Sequence, residues 1–418
     1  MNGVDMGFKI DNILSEEDCK KVLFLLDESK KFIDFRINKY SENVVGFLAE
    51  HYLLTISSSD KNERNTFKKY DTFFLKSMPL LNAKQKAYIK NMDVFKKEIL
   101  MYKNLLSEFL KLTSKPFAPK YYFSKSDECM VIEDISSNYQ VCNVEYLNYG
   151  KIKGALESLA VFHAASIIFE ERRSTAQTPY RINEHFTKEL KEGTFSFKEG
   201  HVRNMWCKSA AKCLADLTRL FTDNHREIAK KIEDYIFSEE GLRRSLRPSK
   251  KYRNVICHDD LWRNNIMFSK NNDCLFVDFQ LTRYTPPVFD VLLMLNINVE
   301  REYLNQNIWL FLEMYYGFLK NELSLNNIDI ENVLSKDDFI TSVEDYTLAA
   351  LTEAGLYGTN VYLPEHISKV VVSNMDVFEE FSFKNRSPFI MKEFGSNEAY
   401  RKRFSNVLVP LFNMFEEV

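Results

Sequence analysis

The sequence predicts an α+β chain of two lobes, a small mixed α/β lobe followed by a larger, mainly helical one. Three observations predict it. Runs around Tyr52 and Phe73 alternate apolar and polar residues, as half-buried strands do. Three short apolar runs, Asn254–Cys257, Asn265–Phe268 and Leu275–Phe279, are spaced as a strand leading into a hairpin. Helical patterning dominates the remainder, over Tyr146–Phe169, Cys207–Phe237 and from Val299 onward. With 418 residues and 45% hydrophobic composition, the chain can fill two cores flanking a cleft. The expected division is 1–135 for the first lobe, with a leading helix over Ser15–Leu26, and 136–418 for the second.

The stretch VICHDDLWRNNIMFSKNNDCLFVDFQ, Val255 to Gln280, is the most informative in the chain. Ser269 to Cys274 is rich in turn formers, and folding symmetrically about Asn271 and Asn272 would set Asn265 opposite Asp278. Asp260 overhangs the same spot from the preceding loop. Magnesium takes oxygen ligands, usually one or two from the protein with the rest from water and phosphates, which suits Asn265 and Asp278. Phosphoryl transfer also needs a carboxylate that orients the attacking hydroxyl and accepts its proton, the role this pattern offers Asp260. Polar residues beside short strands also commonly cap turns. The full pattern of His-x-Asp, the later Asn and Val-Asp-Phe favours the site.

Such chemistry needs a cation on the nucleotide phosphates. Lys76 shares a strand face with Phe74, an odd place for an ammonium without a partner. Phe95, Glu98, Tyr102, Leu105 and Phe109 recur at helical spacing, so Glu98 lies in an apolar stripe and is the expected counter-charge. Taken singly, a snorkelling Lys and a Glu at a stripe's edge are ordinary. Together, upstream of the hairpin, they favour function. A phosphate-covering loop is expected at Ser41 to His51, where Gly46 alone permits close backbone approach and an ordinary turn glycine explains it about equally well. No Gly-Lys-Ser/Thr P-loop occurs.

These residues carry a resemblance. Phe74–Lys76 with Pro79, Phe95–Glu98 with Tyr102, Val131–Asp134, Leu159–His163, His258–Asn265, and Val277–Tyr284 with Phe289 and Asp290 resemble the ecdysteroid kinase-like family, related to choline and aminoglycoside kinases. The resemblance implies a protein kinase-like fold and ATP with Mg2+ as cofactors. It further implies Asp260 as catalytic base, Asn265 and Asp278 on magnesium, Lys76 on the phosphates, Glu98 anchoring Lys76, and Val131, Ile132 and Glu133 at a hinge whose backbone meets adenine. His258-Asp259-Asp260 departs from it, carrying Asp259 where relatives often have Gly, which leaves open which Asp faces the substrate; the Leu-Trp that follows favours Asp260. Asp278 is followed by Phe-Gln rather than Phe-Gly, and no Ala-Pro-Glu follows, which argues against a protein kinase and for a small-molecule acceptor.

Supporting roles fall to Asp290, expected to cap a helix beginning near Val291 and steady the catalytic loop, and to His258, expected to buttress that loop by hydrogen bonding. His163 is expected to be a satisfied core histidine. A net charge of -3 supplies no basic field for nucleic acid. Seven scattered cysteines without CxxC pairing point to free thiols in a reducing compartment. With no signal-like segment and no apolar run near the roughly 18 residues of a membrane span, the expected place is the cytoplasm, away from membranes. The reading is an ATP-dependent kinase acting on an alcohol hydroxyl, of an ecdysteroid or hydroxylated xenobiotic. The rivals are a choline- or aminoglycoside-type kinase with a cationic acceptor and a catalytically silent, pseudokinase-like binding protein.

Overall fold

The computed structural model describes residues 13–40, 49–61, 67–79 and 83–417. The chain forms two compact units, one of Met1–Ser107 with Pro119–Ser137 and one of Glu108–Ala118 with Asn138–Val418. The segment Glu108–Ala118, expected in the first lobe, thus packs with the second, and the later crossing lies just beyond 135. The physical reason is aromatic: Phe109 meets Phe169 and Phe117 meets Phe162, at centroid separations of 5.4 and 5.1 Å.

In the first unit, α1 (Glu16–Leu26) opens with a capping box in which Ser15 and Asp18 satisfy each other's backbone N–H groups. A five-stranded antiparallel sheet runs in the order β1-β2-β3-β5-β4, from β1 (Lys30–Lys39), β2 (Glu50–Asp60), β3 (Lys69–Ser77), β4 (Tyr121–Lys125) and β5 (Cys129–Glu133). Alternate residues face α1: Leu54, Ile56, Phe73, Leu75 and Val131 pack with Cys19, Val22 and Leu23. That alternation sends Phe74 and Lys76 to the opposite face. After α2 (Ala83–Met92), α3 (Val94–Leu100) runs on through a π-helical turn, Met101–Leu106, into the single turn α4 (Ser107–Phe109). The expected stripe of Phe95, Glu98, Tyr102, Leu105 and Phe109 is buried throughout.

The second unit is mainly helical. Around a short sheet of β6 (Gln140–Val141), β8 (Ile266–Phe268) and β9 (Cys274–Phe276), and a pair of β7 (Val255–Cys257) with β10 (Arg283–Thr285), stand α5 (Tyr149–Glu171), α6 (Ile182–His185), α7 (Val202–Leu217), α8 (His225–Phe237) and α9 (Leu242–Ser245). They are followed by α10 (Pro287–Asn298), α11 (Arg301–Leu325), α12 (Lys336–Val361), α13 (Glu365–Ser373), α14 (Met375–Glu379), α15 (Ser387–Ser396) and α16 (Glu398–Glu417). Contrary to the sequence expectation, α5 is long and apolar enough to cross a membrane; its most apolar stretch is 89% buried inside the protein, as a core helix is. All seven cysteines are free and buried.

Helix α5 positions the hairpin between β8 and β9. Ser158 Oγ donates to the Cys274 carbonyl at 2.7 Å, and the Ile256 N–H donates to Ser166 Oγ at 3.0 Å. The hairpin's turn rests on Gly154, where an added Cβ would stand 1.9 Å from the Asn272 carbonyl oxygen. That neighbour is backbone, so the turn or the helix must move. Gly154→Ala is therefore expected to cost about 1–3 kcal/mol by overpacking, read as a lower melting temperature, and to reduce activity by displacing the hairpin. An unchanged melting temperature would mean that the turn yields freely.

Candidate active site

Strand β7 delivers the chain to His258, and the backbone then turns sharply. Asp259 adopts a left-handed conformation, φ 67°, which Asp tolerates better than most residues. The two neighbouring carboxylates have separate partners as a result. Asp259, fully buried, accepts from Arg283 Nη2 at 2.6 Å, and the same guanidinium holds Glu353 at 2.8 Å and Glu192 at 3.2 Å. Burial, with these neighbouring acids, pushes Asp259 well above its ordinary value and Glu353 above its own, against the pull of Arg283. Asp260 instead accepts from Asn265 Nδ2 at 2.9 Å, on both its backbone carbonyl and Oδ2. The extra carboxylate at Asp259 is thus held in a buried ion cluster, leaving Asp260 as the one that meets Asn265.

The hairpin register differs by one residue from the expected one. Ile266 pairs with Phe276 and Phe268 with Cys274, and the Val277 N–H donates to the Asn265 carbonyl at 3.1 Å, so Asn265 stands opposite Val277. The turn centres on Asn271 because Ser269 N–H closes it on the Asp273 carbonyl at 2.9 Å, with Asn272 left-handed at φ 66°. Asp278 lies one step further along and is itself left-handed, φ 70° and ψ 59°. A non-glycine in that region is strained, and such strain gathers at functional sites. Asp278 still bears on Asp260: burial first, then the Asp278 charge, raises the Asp260 carboxyl well above the usual range, with the Asn265 hydrogen bond opposing.

Asp290 is not the helix cap the sequence suggested. Helix α10 starts earlier, with Pro287 in its opening turn, so Asp290 falls within that turn and faces inward. Its carboxylate accepts from the backbone N–H of His258 at 2.6 Å and of Asp259 at 2.9 Å, which ties the loop after β7 to α10. Burial alone would raise its pKa, but His163 and these donors hold it below the ordinary value. His163 bridges Asp290 at 3.2 Å and the Tyr315 hydroxyl at 2.7 Å, a satisfied core histidine. His258 Nε2 contacts the Val277 carbonyl at 3.1 Å and its ring tilts over Phe279, joining the loop to the hairpin's exit. Burial lowers the pKa of both imidazoles.

In the first unit Lys76 Nζ meets Glu98 Oε2 at 2.7 Å, with side chains 8% and 1% exposed. Val131, Ile132 and Glu133 are the residues expected to offer backbone groups to adenine. All three lie in β5, between β3 and β4, and at its end the Glu133 N–H donates to the Lys120 carbonyl at 2.8 Å while the Lys120 N–H donates to Glu133 Oε2 at 3.1 Å. The first backbone groups past the ladder are those of Asp134 and Ile135. Gly46 lies outside the described residues.

Residues 46–328, more than half of the chain, match the Ecdysteroid kinase-like family. The chain belongs to that family. An uncharacterized kinase-like protein of Caenorhabditis elegans is similar at 23% identity over 305 residues, covering 68% of this chain and 73% of that protein. Among solved structures, an ethanolamine kinase of Plasmodium vivax overlaps with a TM-score of 0.39 at 14% identity, covering 93% of this chain and 84% of that one. A choline kinase of Streptococcus pneumoniae overlaps with a TM-score of 0.37 at 14% identity, covering 94% and 99%. The fold class is α+β as expected, with a mixed first unit and a mainly helical second one. In this ecdysteroid kinase-like chain, sequence reasoning missed the Arg283 cluster with Glu192 and Glu353, whose members lie far apart in sequence. Only Asp259 hinted at it, as an added carboxylate needing a cation.

Proposed function

We propose that the chain is an ATP-dependent kinase that transfers the γ-phosphoryl group to an alcohol hydroxyl of a small organic molecule. The observation that carries this reading is the arrangement at Asp260: a carboxylate raised by burial, hydrogen-bonded to Asn265 and within electrostatic reach of Asp278, while Asp259 is held by Arg283. In this role Asp260 orients the acceptor hydroxyl and takes its proton. Asn265 spends its Nδ2 on Asp260, which leaves Oδ1 for a hard cation, and the Asp278 carboxylate is the second oxygen donor, a set that fits magnesium. Magnesium, when bound, neutralises phosphate charge. Lys76, fixed by Glu98, supplies the cation for the phosphates. Asp290 and His258 hold the loop in register with the hairpin. Backbone groups at the end of β5 and just beyond it, from Glu133 to Ile135, take the adenine.

Asp278→Ala tests the metal assignment. It is expected to weaken binding of the magnesium nucleotide about tenfold or more while adenosine alone binds as before, measured by calorimetry, since a charged contact of this kind is worth roughly 1.5–3 kcal/mol. Equal weakening of both ligands would contradict it. For the acceptor we favour a bulky, mostly apolar alcohol such as an ecdysteroid or hydroxylated xenobiotic. A panel of alcohols with labelled ATP decides this: transfer to choline with apolar alcohols inert would replace this acceptor by the cationic one. The buried free thiols support a reducing compartment, the cytoplasm.

A further inference from the structure

Helix α7 presents a cation that the proposed chemistry has not used. Arg203 stands in its first turn, where the His201 imidazole Nδ1 accepts the Arg203 backbone N–H at 3.1 Å. Three residues on, on the same helix face, Trp206 packs edge-on against Tyr357 at a centroid distance of 6.3 Å. The Tyr357 hydroxyl donates to Asp259 Oδ2 at 3.5 Å, next in sequence to Asp260. Arg203 and Asp260 feel each other's charge directly.

Two guanidinium nitrogens of Arg203, Nε and Nη2, are buried and have no hydrogen-bond partner, and it is the one arginine among the described residues with two such atoms. The acids whose charge reaches it also serve other partners. Asp259, Glu192 and Glu353 hold Arg283, and Asp260 Oδ2 takes the Asn265 amide. This is not how the protein treats a structural arginine: Arg386, fully buried, donates to Ser209, Thr359, Asn360 and the carbonyls of Trp206 and Ser382. A guanidinium with two buried, unpaired nitrogens is costly, and its planar fork suits a carboxylate.

We propose that Arg203 is a specificity residue whose half-buried guanidinium receives a carboxylate borne by the alcohol acceptor whose hydroxyl meets Asp260. The inference rests on the kinase reading above and names the acceptor class: a hydroxylated, largely apolar acid. An amino alcohol would instead place its cation near that of Arg203.

The test titrates the wild-type chain, Arg203→Met and Arg203→Lys with a hydroxysteroid carboxylic acid and with its methyl ester, magnesium and a non-hydrolysable ATP analogue being present. The wild type is expected to bind the acid at least about tenfold more tightly than the ester, the strength of one charge-assisted contact. Arg203→Met loses that preference and Arg203→Lys keeps part of it; in turnover of the acid, KM rises more than kcat falls. Without ligand, Arg203→Met melts no lower than wild type, because two buried, unpaired nitrogens have gone. Equal affinity for acid and ester in the wild type, undetectable binding of both included, overturns the proposal. So does a preference that survives Arg203→Met, or a ligand-free Arg203→Met that melts lower, the mark of a structural arginine. Failure of the kinase reading is a different result: a wild-type chain that neither binds magnesium nucleotide nor phosphorylates any alcohol.

Discussion

Asp260→Asn is expected to lower kcat by about 10²–10⁴-fold, the usual worth of a positioned general base, while magnesium-nucleotide affinity holds. Asparagine keeps the shape and can still meet Asn265, but it cannot take a proton. The pH profile gives a second reading of the same group. Burial, then the Asp278 charge, raises the Asp260 carboxyl, and a base works only when ionised. Activity in the wild type should therefore fall as pH drops through that raised pKa, with a limb above the roughly 3.9 of a free aspartate. A cation held by Asn265 and Asp278 would offset the Asp278 contribution and leave the larger one, burial. The residual turnover of Asp260→Asn should lack this limb. Stability moves the other way: a carboxyl raised on folding favours the folded state when protonated, and that favour is lost as pH rises through the folded pKa. Near neutral pH the permanently neutral variant should thus melt no lower than wild type. Turnover near wild type on a confirmed acceptor would remove Asp260 from the mechanism.

What could be read from the sequence is what lies within one short segment. Asp260, Asn265 and Asp278 sit on a single loop and hairpin, and Lys76 and Glu98 each break an apolar pattern that demands a partner. The misreadings have physical causes. The hairpin register slipped by one because the turn closes Ser269 on Asp273 around a left-handed Asn272, a backbone choice that composition does not reveal. Strand β1 escaped notice because nearly all its residues are exposed or half-buried, so it lacks an apolar alternation. Asp290 reads as a cap in sequence because its partners, the His258 and Asp259 N–H groups, come from a distant segment. The two unpaired nitrogens of Arg203 are invisible without coordinates, since a half-buried arginine short of partners is written in the same letters as a solvated one.

The pair of Lys76 and Glu98 permits an experiment that separates architecture from chemistry. With 8% and 1% of their side chains exposed and 2.7 Å between them, losing either partner leaves a charge in a poor dielectric, and Lys76→Met should destabilise the chain by about 3–5 kcal/mol, read from urea unfolding. Glu98→Gln should cost less, because the amide can still accept from Lys76 without neutralising it. The double variant Lys76→Met, Glu98→Leu removes both charges and replaces them with apolar groups. Buried pairs replaced in this way often regain what the single changes lose, so the double variant should be more stable than Lys76→Met alone, a non-additivity expected of residues in contact. Magnesium-nucleotide affinity should not return with it. If Lys76 only balanced Glu98, stability and nucleotide binding would recover together; if it meets phosphates, the stable double variant remains without the cation and binds nucleotide as poorly as Lys76→Met. Recovery of wild-type nucleotide affinity in the double variant would therefore leave the pair a structural ion bridge and take Lys76 out of the nucleotide site.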